Sequence, residues 1–231
     1  MFNIRHPKLD TLYAGIILVL LVIGGFYLFR FAKPKILAVI RPTPTTIILH
    51  VPFTTQAPSD SWNGNEDCEE ASVTMANAFL TGTTEDKLPD AAAQQSINNL
   101  KTWELANLGY DANTGLGATA KMAAGAFNLK VQQITNFTEA DLKTALENND
   151  PILLPINAQL LGNAQYTSGG ALYHMIIIRG FKGDTFIIND PGVTTGDGNQ
   201  YSFADLQAAA ADWSNSAQAL DSKKVALILS K

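Results

Sequence analysis

The apolar positions of this chain are spaced like helices in its first half and like strands in its second. Helical periodicity, alanine content and helix-start signals predict helices over 68–80, 90–108, 116–127, 138–148 and 203–213. Short apolar runs predict strands over 47–51, 151–156, 173–179, 185–189 and 225–229. Because most helices come before most strands, the pattern predicts an α+β fold rather than an alternating α/β fold.

One apolar segment is long and uncharged. Residues 12–29 carry no charged side chain, and a helix of that length spans about 27 Å at about 1.5 Å per residue, close to the thickness of a bilayer core. We therefore expect the chain to have four parts: a short tail (1–11), a transmembrane anchor (12–32), a Pro/Thr-rich stalk (33–46) and one domain (47–231).

A cleaved signal peptide is the alternative for this segment, but no small-residue cleavage signature follows it. The excess of Lys and Arg after the segment favours a cytoplasmic domain. The Pro/Thr stalk instead favours a domain raised from the outer face of a membrane. Of the two, we favour a single-pass membrane protein with an extracytoplasmic domain.

Charge and metal-ligand counts exclude several classes of partner. Residues 42–231 hold ten basic and twenty acidic side chains, which disfavours binding to a phosphate backbone. We expect no nucleic-acid partner. One cysteine allows neither an internal disulfide nor a thiolate cluster, and three histidines leave little for a metal site. No cofactor or metal is expected.

The single cysteine, Cys68, lies where an irregular polar stretch meets the first predicted helix. The partial positive charge of a helix N-terminus favours a thiolate, which makes Cys68 a candidate nucleophile. Asp67 and Glu70 have the spacing of a capping box at this helix start. The acidic neighbours oppose thiolate formation, so a nearby imidazolium is needed to activate the sulfur. A buried, unreactive cysteine is the alternative.

His174 and Asp190 lie at the outer ends of two strand-like segments that form a predicted hairpin. A three-residue turn over 181–183 would place the two side chains opposite each other on one face of the hairpin. A two-residue turn over 182–183 would direct Asp190 to the other face. We favour the first register, in which a carboxylate orients a histidine that can accept a proton from Cys68.

Four segments together resemble a known family: VPFTTQAP (51–58), DCEEAS (67–72), HMIII (174–178) and NDPG (189–192). They are similar to the papain-fold peptidases related to the bacteriocin-leader-processing enzymes, family thirty-nine of the cysteine peptidases. The resemblance implies a papain-like α+β fold with an N-terminal helical part and a C-terminal antiparallel sheet. It also implies site roles: nucleophile Cys68, base His174, orienting residue Asp190 and oxyanion-hole donor Gln56.

Three further residues have alternative interpretations. Asn189 is the substitute for Asp190, since papain-like sites can use asparagine to orient the histidine. His50 lies between apolar residues and is interpreted as structural. Trp62 either lines a substrate cleft or packs in the core.

The sequence departs from the family in having Glu69 and Glu70 after the cysteine, where glycine or another small residue is common. We expect a membrane-anchored cysteine peptidase that hydrolyses peptide or isopeptide bonds in a peptide or protein substrate. One alternative is an inactive module of the same fold that binds peptides or wall components. The other is a transglutaminase-like acyl transferase.

Overall fold

The computed structural model describes residues 44–59, 62 and 66–231. The tail, the predicted anchor over 12–32 and most of the stalk over 33–46 lie outside these residues. Within the described ranges, no helix combines the length and the apolar character that a membrane crossing requires.

Five α-helices lie in the described part of the chain: Cys68–Leu80 (α1), Asp90–Asn107 (α2), Leu116–Phe127 (α3), Glu139–Glu147 (α4) and Phe203–Ala209 (α5). The first four are confirmed within one residue at each end. Helix α5 is shorter than predicted because the chain turns into a strand at Asp212. The Asp212 carboxylate accepts a hydrogen bond from the backbone N–H of Leu116 at 2.8 Å, which stabilises the start of α3.

Seven strands form one antiparallel sheet: Thr46–Ile48 (β1), Lys130–Thr135 (β2), Ile152–Ile156 (β3), His174–Lys182 (β4), Thr185–Asn189 (β5), Asp197–Ser202 (β6) and Val225–Ser230 (β9). The order is β2-β9-β3-β4-β5-β6, and β1 also pairs with β4. Strands β7 (Asp212–Ser214) and β8 (Ala219–Asp221) pair separately. The mixture of helices and an antiparallel sheet confirms the α+β prediction.

Helix α1 is the part of the helical layer that matters for the site. It packs against β4 and against α2 and α3, and every residue from Cys68 to Ala76 is buried. The first turn therefore lies inside the protein even though it carries two glutamates.

The start of α1 differs from the prediction. Asp67 is the N-cap residue, but its side chain makes no capping hydrogen bond. It forms an ion pair with Lys101 of α2 at 2.7 Å instead. Glu70 is directed towards Glu104 of α2. The predicted capping box of Asp67 and Glu70 is therefore wrong, because contacts with α2 take both carboxyl groups.

The turn between β4 and β5 has neither of the predicted registers. Lys182 pairs with Thr185, so the turn consists of the two residues 183–184. Gly183 has a φ of +59°, a backbone conformation that favours glycine in a tight hairpin turn. The predicted turns over 181–183 and 182–183 are both wrong.

A β-bulge at Arg179 determines which face of the sheet carries Asp190. If the turn register continued unchanged, Asp190 would lie opposite Ile177 and on the face away from His174. The bulge shifts the pairing by one residue, so that Ile177 pairs with Asn189. Asp190, the next residue, then lies on the His174 face as a diagonal neighbour rather than the opposed partner that we predicted.

Candidate active site

His174 and Asp190 form a buried pair at the end of the hairpin. Nε2 of His174 lies 2.7 Å from Oδ1 of Asp190, and the two side chains are only 5% and 0% exposed. Burial raises the pKa of Asp190, but the charge and hydrogen bond of His174, together with bonds from Tyr166 and Gly192, outweigh it. The pKa of Asp190 lies below its ordinary value, and a carboxylate is held beside the imidazole.

The carboxylate of Asp190 is held by further hydrogen bonds. The backbone N–H of Gly192 donates to Oδ1 at 2.9 Å, and the hydroxyl of Tyr166 donates to Oδ2 at 2.5 Å. The backbone N–H of Asp190 donates to the carbonyl of Gly196 at 2.9 Å. Both carboxylate oxygens therefore have donors, and the plane of the group is fixed relative to His174.

Gly192 provides the space that the imidazole occupies. A Cβ atom at this position would lie 2.8 Å from Cε1 and from Nε2 of His174. Carbon atoms do not approach this closely without displacement, so any side chain at position 192 would push the His174 ring.

A cleft of about 370 Å³ opens beside this pair. It is lined by Gln56, Trp62, Ala158, Tyr166, Thr167, Gly170, Ala171, His174 and Gly192. The backbone N–H of Gln56 donates to the carbonyl of Pro191 at 2.9 Å, which joins the Gln56 segment to the loop that follows Asp190. Trp62 is among the residues that line this cleft. Among the described residues that line the cleft, none is Asp, Glu, Lys or Arg.

Cys68 begins α1 and is almost fully buried, at 4% exposure. It is not among the residues that line the cleft. Its Sγ donates to Oε2 of Glu69 at 3.0 Å and lies within reach of the backbone N–H of Met175. Ser72, one turn along α1, donates to the Met175 carbonyl at 3.4 Å. Since Met175 follows His174 on β4, the start of α1 lies at the end of the strand that carries the histidine.

The surroundings of Cys68 keep the thiol protonated. Burial, and then the charge of Glu69, raise the pKa of Cys68 well above its ordinary value. Burial raises the pKa of Glu69 to about 8, and burial also raises the pKa of Glu70 and of Glu104. The Met175 N–H acts in the other direction and lowers the pKa of Cys68. Near neutral pH, the described groups around the sulfur therefore favour S–H over S⁻.

The four predicted site residues thus occupy two neighbouring places. His174 and Gln56 line one cleft, and Asp190 lies directly behind the histidine. Cys68 is buried beside Met175, where the hydrogen bond of its thiol goes to Glu69. In the described residues, no group of three His, Cys, Asp or Glu side chains is placed to hold a metal ion.

Tyr166 contacts the His174–Asp190 pair, and the sequence did not predict this contact. Tyr166 lies in a loop between β3 and β4 whose Gly, Asn and Ser content predicts only irregular structure. A tyrosine in such a loop gives no local signal of its partner, because the contact with Asp190 depends on how the loop folds over the hairpin.

Two alternative residues have structural contacts. Asn189 accepts a hydrogen bond from Nε of Arg179 at 2.7 Å and donates to the Val51 carbonyl at 3.0 Å. It therefore ties the bulge and the segment after β1 to β5. His50 contacts the exposed Asp86 at 2.7 Å and does not line the cleft.

An α+β domain with a buried His–Asp pair, a cleft and a cysteine at a nearby helix start has the form of a cysteine-peptidase-type domain. The chain belongs to the Peptidase_C39 like family, whose model matches residues 48–220. This membership confirms the family resemblance of the segments 51–58, 67–72, 174–178 and 189–192.

Eleven chains of solved structures resemble this chain, and two of them illustrate the likeness. The first, from Bacillus anthracis and described as a C39-like peptidase, has a TM-score of 0.52 and 17% identity, covering 80% of this chain and 98% of the other. It supports the fold. The second is the peptidase domain of Streptococcus ComA, a bifunctional ABC transporter of a quorum-sensing pathway, with a TM-score of 0.42 and 15% identity, covering 71% and 91%. No curated protein matches the chain.

Proposed function

We propose that the domain hydrolyses peptide or isopeptide bonds, with Cys68 as nucleophile, His174 as base and Asp190 as orienting residue. The observation that carries this proposal is the buried pair of Nε2 and Oδ1 at 2.7 Å beside an open cleft. Because Asp190 engages Nε2, the other ring nitrogen, Nδ1, is left to exchange a proton with a thiol. The family of the chain supports the same chemistry.

The first half of the reaction forms an acyl-enzyme. Cys68 Sγ gives its proton to Nδ1 of His174, and the sulfur attacks the carbonyl carbon of the substrate. The carbonyl oxygen becomes an oxyanion, which the Gln56 side-chain amide and the Cys68 backbone N–H stabilise by donating hydrogen bonds. His174 then gives the proton to the leaving nitrogen, the C–N bond breaks, and a thioester remains on Cys68.

The second half releases the acid. A water molecule gives a proton to His174 while its oxygen attacks the thioester carbon. The C–S bond breaks, and the sulfur takes back the proton that His174 holds. Asp190 remains a carboxylate throughout, since its lowered pKa favours the charged form next to an imidazolium.

Gln56 is proposed as the oxyanion donor because of its place. It lines the cleft together with His174, and its backbone is joined to Pro191 in the loop after Asp190. From this position, the Gln56 side-chain amide can reach a substrate oxygen in the cleft while the backbone of its loop stays in place.

The direct test compares full-length wild type with Cys68→Ala on one mixture of peptides, with products read by mass spectrometry. We expect the wild type to generate cleavage products that C68A does not, because no second thiol exists in the chain. Thermal unfolding of both proteins checks that the variant is folded. Equal product patterns from two folded proteins would refute the peptidase proposal.

A second candidate is an inactive module that binds peptides through the same cleft. The observation that favours it is the burial of Cys68 and its hydrogen bond to Glu69, which together disfavour a reactive sulfur. This candidate predicts that wild type and C68A retain the same peptides from the mixture, unchanged in mass. Retention with cleavage by the wild type alone would exclude it.

We also propose that residues 12–32 anchor the protein in a membrane, with the domain outside the cytoplasm. The proposal rests on the uncharged apolar segment and on the Pro/Thr stretch that follows it. Protease added to intact cells should degrade the domain. A domain that is degraded only after the cells are broken would place it in the cytoplasm.

A further inference from the structure

We propose that Tyr166 is a positioning residue that fixes the Asp190 carboxylate and, through it, the tautomer and orientation of His174. This inference rests on the proposed function of the site. Its physical content, the state of the His174 ring, can be measured without any substrate.

The contacts of Tyr166 reach both members of the pair. Its hydroxyl donates to Oδ2 of Asp190 at 2.5 Å. Its ring meets the His174 ring edge to face, with centroids 6.1 Å apart and an angle of 84° between the planes. One side chain therefore contacts the carboxylate through its polar end and the imidazole through its ring.

The Tyr166 hydroxyl donates a hydrogen bond but does not give up its proton. Burial, followed by the charge of Asp190, raises the pKa of Tyr166, so the phenol keeps its proton across the working range of the protein. A neutral hydroxyl on Oδ2 leaves Oδ1 for Nε2 of His174 and for the backbone N–H of Gly192. Rotation of the carboxylate would break these bonds together, which holds its plane in place.

Fixing the carboxylate fixes the histidine. While Oδ1 accepts from Nε2, the proton of a neutral His174 resides on Nε2, and Nδ1 remains the basic nitrogen. If the carboxylate could rotate, the ring would also populate the tautomer with the proton on Nδ1. That tautomer cannot accept a proton from Cys68.

The same tyrosine also connects the pair to the cleft. Tyr166 and its neighbour Thr167 both line the cleft, and a Cβ at Gly170 would lie 2.9 Å from Cδ2 of the Tyr166 ring. The loop that contacts a bound substrate is thus the loop that holds the orienting carboxylate.

Tyr166→Phe is the informative variant because it removes the hydroxyl and keeps the ring. Tyr110→Phe is the matched control, since the Tyr110 hydroxyl lies near Glu104 of α2, and burial and that carboxyl group raise its pKa. The first readout is the ¹⁵N and ¹H NMR signal of the His174 side chain, assigned by its loss in His174→Gln. The signals of His6 and His50 in the same spectra provide an internal reference.

We expect Y166F to shift the His174 nitrogens towards a mixture of tautomers and to speed the exchange of the Nε2 proton with water, while Y110F matches the wild type. With a cleavable peptide, Y166F should lower kcat by about 10- to 100-fold. This is the size of effect seen when a residue that orients a metal-binding histidine through a hydrogen bond is removed. KM should change by less than about 2-fold, because the ring still lines the cleft.

A His174 spectrum that is identical in wild type and Y166F would overturn the positioning role, whatever the activity. A loss of activity with an unchanged spectrum would likewise assign Tyr166 to the cleft wall and overturn the proposal. If the wild type cleaves no peptide but the spectrum changes, the peptidase function fails while the positioning of His174 by Tyr166 stands.

Discussion

The two halves of the candidate site are prepared to very different degrees. On the hairpin side, the carboxylate of Asp190 accepts hydrogen bonds from a histidine, a tyrosine and a backbone amide. On the helix side, the thiol of Cys68 lies among buried carboxyl groups and donates to Glu69. The pKa of Asp190 is lowered, whereas the pKa values of Cys68 and Glu69 are raised.

In the proposed mechanism, this difference means that the base and the nucleophile are controlled separately. The His174–Asp190 pair needs no rearrangement to act as a base, because its hydrogen bonds are already formed. The sulfur must lose its hydrogen bond to Glu69 before it can give its proton to His174. In that mechanism, the step still required is the activation of the thiol, which donates to Glu69, whereas the His174–Asp190 pair is already assembled.

The largest effect is expected from changing the hairpin side. Asp190→Asn keeps the size of the side chain but can hold the wrong tautomer of His174, so peptide cleavage should fall about a thousandfold or more. Asp184→Asn, at an exposed carboxylate of the hairpin turn, is the control. Initial cleavage rates of both variants on one peptide measure the effect. A folded D190N protein with more than about a tenth of wild-type activity would show that the pair is not the base.

A smaller loss is expected from Gly192→Ala. The added Cβ would lie 2.8 Å from two atoms of the His174 ring, which must move to make room. Displacing a catalytic group by about 1 Å can cost about a hundredfold, so kcat should fall by that order. Gly117→Ala is the control, because a Cβ there meets no atom within 4 Å in α3. It should stabilise the helix by about 0.5–1 kcal/mol and leave kcat unchanged. Equal kcat values for wild type and G192A would contradict the steric argument.

The smallest effect concerns stability on the helix side. The pKa of Glu69 is raised from 4.5 to about 8 by folding, so the folded state binds this proton more tightly than the unfolded state. Its contribution to stability is fully present below about pH 4.5 and is lost as the pH rises towards about 8. Glu69→Gln removes this titration. The free energy of unfolding, measured by denaturant at several pH values, should fall less steeply with pH in E69Q.

Glu66→Gln is the control for that comparison, because Glu66 is exposed and the hydrogen bond that its carboxylate accepts from Asn113 is long, at 3.4 Å. Its pH dependence should follow the wild type. Parallel curves for wild type and E69Q would mean that Glu69 is not held protonated by the fold.

Local patterns were enough to predict most of the elements. Helices α1 to α4 have clear periodicity or start signals, and β3, β4, β5 and β9 are continuous apolar runs. Strand β6, with the sequence DGNQYS, was missed because an edge strand needs no apolar face and takes its structure from pairing with β5. Strand β2 was missed because almost all of its residues are exposed and lack the apolar signal of a buried strand. Its structure depends on pairing with β9.

For the site, the sequence identified residues but not their geometry. The predicted face for His174 and Asp190 is correct, but the predicted strand register is not. The observed turn alone would put Asp190 on the other face, and the bulge at Arg179 shifts the pairing by one residue and restores the predicted face. A bulge has no reliable local signal, and its effect on face selection appears only when both strands are paired. The placement of Tyr166 and the hydrogen bond between Cys68 and Glu69 depend on tertiary packing in the same way.

The central claim is that the Cys68 thiol is held protonated beside an assembled His174–Asp190 pair. The most direct test is the rate at which chloroacetamide alkylates Cys68 as a function of pH, in wild type, Glu69→Gln and His174→Gln. We predict that the wild-type rate rises only above the pH range of a free thiol, about 8.5. E69Q should move the curve to lower pH, and H174Q should slow alkylation below the wild-type rate. A wild-type rate that has already reached its plateau at about pH 5 would show that Cys68 is a thiolate at that pH and would contradict the account.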